Sequence, residues 1–254
     1  MSVLYPCWYT TINSEMDKQA ILTLLSEGEM KVEGQFLAGS NYTFLVVVHW
    51  QDEDYPAVYK PVRGEQPLWD FPERTLAHRE VAAYLVSEAL GWDLVPPTVY
   101  RRRAPLGAGS VQWFVEHDPE HHFFHFTPEE KQRLRPVALF DLLTNNADRK
   151  GGHILMDAQG HIWLIDQGLC FHVEEKLRTV VWDFAGEPIP EDLLADLQAF
   201  VQRLETDEDL SASLGEHLSR AEIRALLRRG KRLLQEKVFP SPPSTRRPYP
   251  WPPV

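Results

Sequence analysis

The chain has 254 residues, enough for one large domain or two lobes around a sizeable core. Its composition, 43% hydrophobic and 25% charged, is that of a folded protein rather than a disordered one. A formal net charge of −11 argues against a general nucleic-acid binder and against a protein held on anionic lipid by charge alone. Cys7 and Cys170 are too few for a disulfide framework or a zinc site. No basic residue precedes Lys18, no apolar run resembles a secretory signal, and no segment approaches the roughly 20 apolar residues that span a bilayer. The expected setting is cytoplasmic.

Residues 14–27 read as a helix, with Ser14 and Asp17 forming a capping-box-like start and Ile21, Leu22, Leu24 and Leu25 an apolar face. Residues 30–37 alternate like a strand. The small turn Gly39-Ser40-Asn41-Tyr42 follows, then a β-prone run over 43–50. Strand, small polar turn and strand can fold over phosphates, because small residues let backbone N–H groups approach an anion. The same residues also make ordinary connecting turns.

Residues 55–62 form another predicted strand carrying Lys60, where a lysine also serves edge protection and Pro61 fits an edge or a strand end. Pro72-Glu73 opens a helix that runs to Leu90 and stops at Gly91, with Glu80 inside it. Lys60 on a strand and Glu80 on the next helix is the order in which an ion pair orients an ATP-binding lysine. Two more strands are expected over 94–100 and 111–116. The second ends in Phe114-Val115-Glu116 and runs into the connection between halves, where backbone groups could bond an adenine edge.

His117, His121, His122 and His125 follow with Asp118 and Glu120, without a closed ligand pattern, which favours a solvated loop over a metal site. Thr127-Pro128-Glu129-Glu130 is a strong helix start, and Pro136 should split or kink that helix. A buried helix then leads into Asn145-Asn146-Ala147-Asp148-Arg149. After Ile154-Leu155 and a turn over 157–160, the apolar run Ile162-Trp163-Leu164-Ile165 delivers Asp166 before Gly168. An aspartate at the end of a buried apolar run is costly unless it meets a metal or a donor. Two such carboxylates, 18 residues apart, look like a phosphoryl-transfer pair of base and metal ligand.

Residues 170–186 are irregular, with Lys176, Arg178 and Trp182, where an activation or substrate-recognition segment would lie. Amphipathic helices are expected within 188–205 and after Ser219, which with Glu222 forms a cap. Seven of the fifteen residues from 240 to 254 are proline, so the tail is expected to be extended and disordered.

The ordered set resembles the atypical kinase superfamily of phosphatidylinositol 3-/4-kinases and HipA-type bacterial serine/threonine kinases, above all a bacterial family placed beside the phosphatidylinositol kinases. The resemblance runs from about residue 34 to 168, and Asn-x-x-Asp-Arg followed by Ile-Leu and Ile-Asp-x-Gly carries it. It implies an α+β, two-lobed kinase-like fold: an N-lobe over 1–116 with an antiparallel sheet and a helix, a mostly helical C-lobe over 117–239, and the tail 240–254. It implies ATP-dependent transfer of the γ-phosphoryl group to a hydroxyl of a protein or small-molecule acceptor, with ATP and Mg²⁺ or Mn²⁺ as cofactors. Asp148 would orient or deprotonate the acceptor, Asp166 would hold the metal, and Lys60 would pair with the α/β-phosphates while Glu80 fixes it. Gly39, Ser40 and Asn41 would cover the phosphates.

The departure is His153, where the family usually places an asparagine. Either His153 ligates a softer ion such as Mn²⁺, or Asn145 or Asn146 supplies the missing oxygen, or the site binds nucleotide and transfers slowly. A locally satisfied imidazole is the remaining reading. Nucleotide binding without transfer, and AMP transfer from the same pocket, are the alternative functions. The oligomeric state is not legible.

Overall fold

The computed structural model describes residues 16–36 and 41–254. Cys7, Ser14, Gly39 and Ser40, and the expectations that rest on them, lie outside the described residues.

Helix α1, Lys18–Glu27, starts at Asp17, whose carboxylate accepts the Ala20 N–H. Strands β1 (Glu29–Phe36), β2 (Thr43–Trp50) and β3 (Glu53–Pro61) form an antiparallel meander with a bulge between Val32 and Gly34. β4 (Thr98–Arg101) and β5 (Gly109–Trp113) complete a five-stranded sheet of order β1-β2-β3-β5-β4. The strand of Lys60 is therefore central, which corrects the edge reading. Its prolines are placed so that no ladder bond is lost. Pro61 is the last residue of β3, and Pro56 lies beyond the Ala57–Trp113 pair where β5 ends.

Helix α2, Leu76–Leu90, begins later than the expected proline start and ends at Gly91 in the left-handed conformation. Eleven of its 15 residues are buried, Arg79 and Glu80 included, so it is a helix enclosed on all sides rather than one with a single stripe. One side faces β4 and β5 and the other faces the helices of the second half. Its residues Ala82, Ala83, Val86 and Leu90 belong to the large core that also holds Leu139, Phe140, Leu197 and Phe200.

In the second half, α3 (Pro128–Gln132) has the full capping box of Thr127 and Glu130. α4 (Arg135–Thr144) is a separate helix that takes Pro136 in its first turn, where no helical N–H is lost. α4 is buried along most of its length and ends at Asn145, φ +57°. β6 (Ile154–Met156) and β7 (Ile162–Leu164) form a hairpin. Asp157 closes its turn, accepting the N–H groups of Gln159 and His161 and the indole N–H of Trp163. α5 (Glu191–Thr206), α6 (Glu208–Gly215) and α7 (Arg220–Glu236) finish the fold. α7 carries the Ser219–Glu222 capping box; α6 was not expected. Sheet half and helical half make the α+β, two-lobed kinase-like fold. Among the described residues no helix is long and apolar enough to cross a membrane.

Candidate active site

The β6–β7 hairpin explains why two aspartates 18 residues apart meet. In an antiparallel pair the residue before the first strand lies beside the residue after the second, and here the Ile165 N–H donates to the His153 carbonyl at 3.1 Å. The 145–153 loop and the 166–168 turn thus leave the same end of the hairpin. Asp166 has φ +58°, a left-handed position that aspartate tolerates better than most residues and that recurs at functional sites. Gly168 follows because a Cβ there would stand 3.3 Å from the Leu76 Cβ, close against α2.

Across from this turn, Lys60 Nζ is hydrogen-bonded to Glu80 and lies 3.0 Å from Asp166 Oδ1. The Glu80 side chain is 3% exposed, Lys60 20% and Asp166 50%, so the cluster is sealed on the helix side and open on the aspartate side. The second Glu80 oxygen accepts the Gln167 N–H at 2.9 Å, which ties α2 directly to the aspartate turn. Burial alone would lower the Lys60 ammonium, but Asp166 and Glu80 outweigh it and raise its pKa. The charge of Lys60 in turn holds the Asp166 carboxyl well below the usual carboxylate range, against its own burial.

Asp148 is in a different state. Its side chain is 28% exposed, with Lys150 Nζ 3.7 Å from Oδ2. Burial pushes its carboxyl up to about 6, opposed by Lys150 and reinforced by the charge of Asp166. Two carboxyls with separated pKa values, one acting on the other through its charge, are the pattern of an acid–base group beside a permanently charged one.

The loop is fixed from below by a buried network. Arg149, with no exposed surface, donates to Asp141 at 3.0 Å, to the Ile165 carbonyl at 2.9 Å and to Gln167 Oε1 at 2.8 Å. Thr179 donates its hydroxyl to the same Asp141 at 2.9 Å. Gln167 also accepts from Asn146, so the residue between Asp166 and Gly168 joins both loops and, through its backbone, α2. The sequence reading missed Gln167, Arg149 and Lys150 as site residues. Lys150 had a signal in directly following Asp148-Arg149, whereas Gln167 had none.

The two asparagines are committed elsewhere. Asn145 Oδ1 accepts the Lys176 N–H, and its amide donates to the carbonyls of His172 and Glu174. Asn146 Oδ1 accepts the Asp148 N–H at 2.9 Å. Both side chains are fully buried, so neither offers a free oxygen to an ion. His153 stands nearest, with Nε2 3.3 Å from Asp166 Oδ2. Its Nδ1 accepts the Lys150 N–H at 3.4 Å, and burial lowers its pKa to about 4, so the ring is neutral with its proton assigned to Nε2. Among the described residues no group of three or more His, Cys, Asp or Glu is arranged to hold a metal ion. Asp166, half exposed and ionised, still fits a hard divalent cation that draws its other ligands from a nucleotide's phosphates.

Of the expected nucleotide contacts, Asn41 uses its side-chain oxygen to accept the Gln66 N–H at 2.7 Å, hooking the turn to the loop after β3. β5 ends at Trp113, so Phe114, Val115 and Glu116 are the connection itself rather than strand. Val115 is buried, Glu116 is exposed, and the Val115 carbonyl already meets His117 Nδ1 at 2.8 Å. In the histidine loop, His121 pairs with Glu130 at 3.0 Å and His125 with the Glu120 carbonyl.

No family model matches the chain. Protein Rv2133c of Mycobacterium tuberculosis is 40% identical over 264 residues, covering 90% of this chain and 94% of that protein. Phosphatidylinositol 4-kinase gamma 4 of Oryza sativa subsp. japonica is 28% identical over 158 residues, 53% of this chain but only 27% of the plant protein. Among solved structures, hydra Fam20 with sugar has a TM-score of 0.53 at 14% identity and covers 90% of each chain. The Golgi casein kinase with Mn/ADP bound has a TM-score of 0.51 at 17% identity, covering 93% of this chain and 80% of that one. At such identities the likeness is one of fold, and the fold is that of kinases. The chain belongs to the family of Mycobacterium tuberculosis Protein Rv2133c, and its fold is kinase-like.

Proposed function

We propose that the protein is an ATP-dependent phosphotransferase that moves the γ-phosphoryl group to a hydroxyl of a protein or a small molecule. The observation that carries this reading is Lys60 held between Glu80 and Asp166, three residues from three separate elements converging on one ammonium. Lys60 binds the α/β-phosphates, and Glu80 keeps it from collapsing onto Asp166 alone. Asp166 would hold Mn²⁺ or Mg²⁺, which when bound supplies charge neutralisation to the phosphate oxygens. Asp148, with its raised pKa, takes the proton from the acceptor hydroxyl as that oxygen bonds to the γ-phosphorus. The bond from the γ-phosphorus to the bridging oxygen breaks and ADP leaves. Lys150 offsets charge beside Asp148, and the Arg149–Gln167 network keeps the two loops in register.

A second reading, nucleotide binding without transfer, is favoured by His153, whose Nε2–H faces Asp166 where the resemblance to atypical kinases implies an asparagine oxygen. Incubation with ATP and Mn²⁺ or Mg²⁺, followed by intact mass of the protein and of candidate acceptors, separates the readings. Gain of a phosphoryl mass, absent in Asp166→Asn, supports phosphotransfer, and gain of an AMP mass supports AMP transfer. ATP-dependent stabilisation with no mass change in any partner supports the second reading.

A further inference from the structure

The proline-rich tail does not stand free of the molecule. The Gly151 N–H, three residues beyond Asp148, donates to the Pro253 carbonyl at 2.8 Å. The Thr179 N–H donates to the Pro248 carbonyl at 3.1 Å, and the Trp182 indole N–H reaches the same oxygen at 3.3 Å. Arg246 donates to the Glu175 carbonyl and stands 3.9 Å from its carboxylate. Pro250 is buried between these attachments.

These contacts have a pattern. On its inner side the 178–180 segment pairs with the Asp148 loop, the Arg149 N–H donating to the Arg178 carbonyl and the Val180 N–H to the Arg149 carbonyl. The remaining Thr179 N–H points outward to the tail, which adds to the free edge of that segment as an extended peptide adds to a sheet. In this mode the main chain supplies adhesion and the sequence supplies fit. Proline suits it here because the tail contributes carbonyls to Gly151, Thr179 and Trp182, so its missing N–H groups cost nothing, and its extended shape is already ordered. One side-chain contact adds to the fit: Arg246 reaches Glu175, whose carboxylate also meets Arg232 at 3.2 Å.

We infer that the strip formed by Gly151 and residues 175–182 is a groove for an extended, proline-containing polypeptide, and that residues 246–253 of the chain fill it in cis. That the polypeptide is the phosphoryl acceptor rests on the phosphotransferase reading; the groove does not. A tethered tail competes at an effective concentration of roughly millimolar, so an incoming segment must displace it.

The test uses the full chain carrying Arg246→Glu, and a second form carrying Arg246→Glu with Trp251→Ala, since Trp251 packs under Arg247. The probe is a labelled synthetic peptide of residues 241–254. The expected result is binding to both variants at least about tenfold tighter than to the unaltered chain. Amide exchange at Gly151 and Thr179 should be about tenfold faster in the variants and slow again with saturating peptide. Equal peptide affinity for all three proteins, or equal exchange at both amides, overturns the groove. Thermal stabilisation by ATP is read in parallel: its absence from all three proteins counts against the phosphotransferase site alone, while the peptide and exchange results still decide the groove.

Discussion

Asp148 is where the site and the fold are most in opposition. Its carboxyl, ordinarily near 3.8, is pushed up to about 6, chiefly by burial. The folded chain therefore binds this proton more readily than the unfolded chain does. The stability associated with the protonated form is lost as pH rises through the folded pKa, and above it the ionised group opposes folding. At about 1.4 kcal/mol per pH unit, the penalty near pH 7.5 is of the order of 3 kcal/mol. Asp148→Asn keeps the shape and removes the charge. It should raise the melting temperature near pH 7.5 by roughly 6–12 °C for a chain of this length. The gain should fall to roughly half near pH 5, where the wild-type carboxyl is largely protonated in the fold. The same substitution should lower transfer by roughly 10²–10⁴-fold, and wild-type kcat/KM should rise through about pH 6. Calorimetric scans at both pH values, with an ATP-turnover assay, read all of this. An unchanged or lower melting temperature near pH 7.5, or an equal gain at both pH values, refutes the burial argument.

Three further substitutions probe other parts of the site. Gly109→Ala would place a Cβ 2.3 Å from the Lys60 carbonyl oxygen and 2.8 Å from the Pro61 Cα. Backbone cannot yield there, so the variant should lose about 1–3 kcal/mol in urea unfolding and bind ADP more weakly in a titration. Asp141→Leu leaves Arg149 buried without its carboxylate and should cost about 3–5 kcal/mol, part of which returns when Arg149→Met is added. His153→Asn replaces an imidazole with a hard oxygen beside Asp166; the ratio of turnover with Mg²⁺ to that with Mn²⁺ should rise in a metal-dependence assay.

Local chemistry made much of this fold readable. The Thr127–Glu130 and Ser219–Glu222 boxes, the Asp157 turn and the stop at Gly91 each depend on residues a few positions apart. The order of Lys60, Glu80, Asp148 and Asp166 was also legible, because each sits on an element whose type its neighbours declare. What escaped depends on distant partners. The central position of β3 comes from β5, about fifty residues later, sliding in beside it. Burial of α2 on both sides comes from the later helices, which no stripe in its own sequence announces. Asn145 reads as a free oxygen, but its partners lie 27 to 31 residues away in the turns after Asp166, and the Asn146 oxygen is taken by the Asp148 N–H in a local turn that the sequence does not announce. Helix α6 is only eight residues long and weakly apolar. The tail was read from its proline content as disordered, yet proline lacks only donors, and its carbonyls are what Gly151, Thr179 and Trp182 use.

The most direct test of the central claim is calorimetric titration of ADP, with and without Mn²⁺, into the unaltered chain and into Asp166→Asn. If Lys60, Glu80 and Asp166 form a nucleotide site, the unaltered chain binds ADP, Mn²⁺ tightens that binding, and Asp166→Asn weakens it at least about tenfold, or 1.4 kcal/mol. Absence of binding to the unaltered chain, or identical affinity in the variant with Mn²⁺ present, contradicts the account.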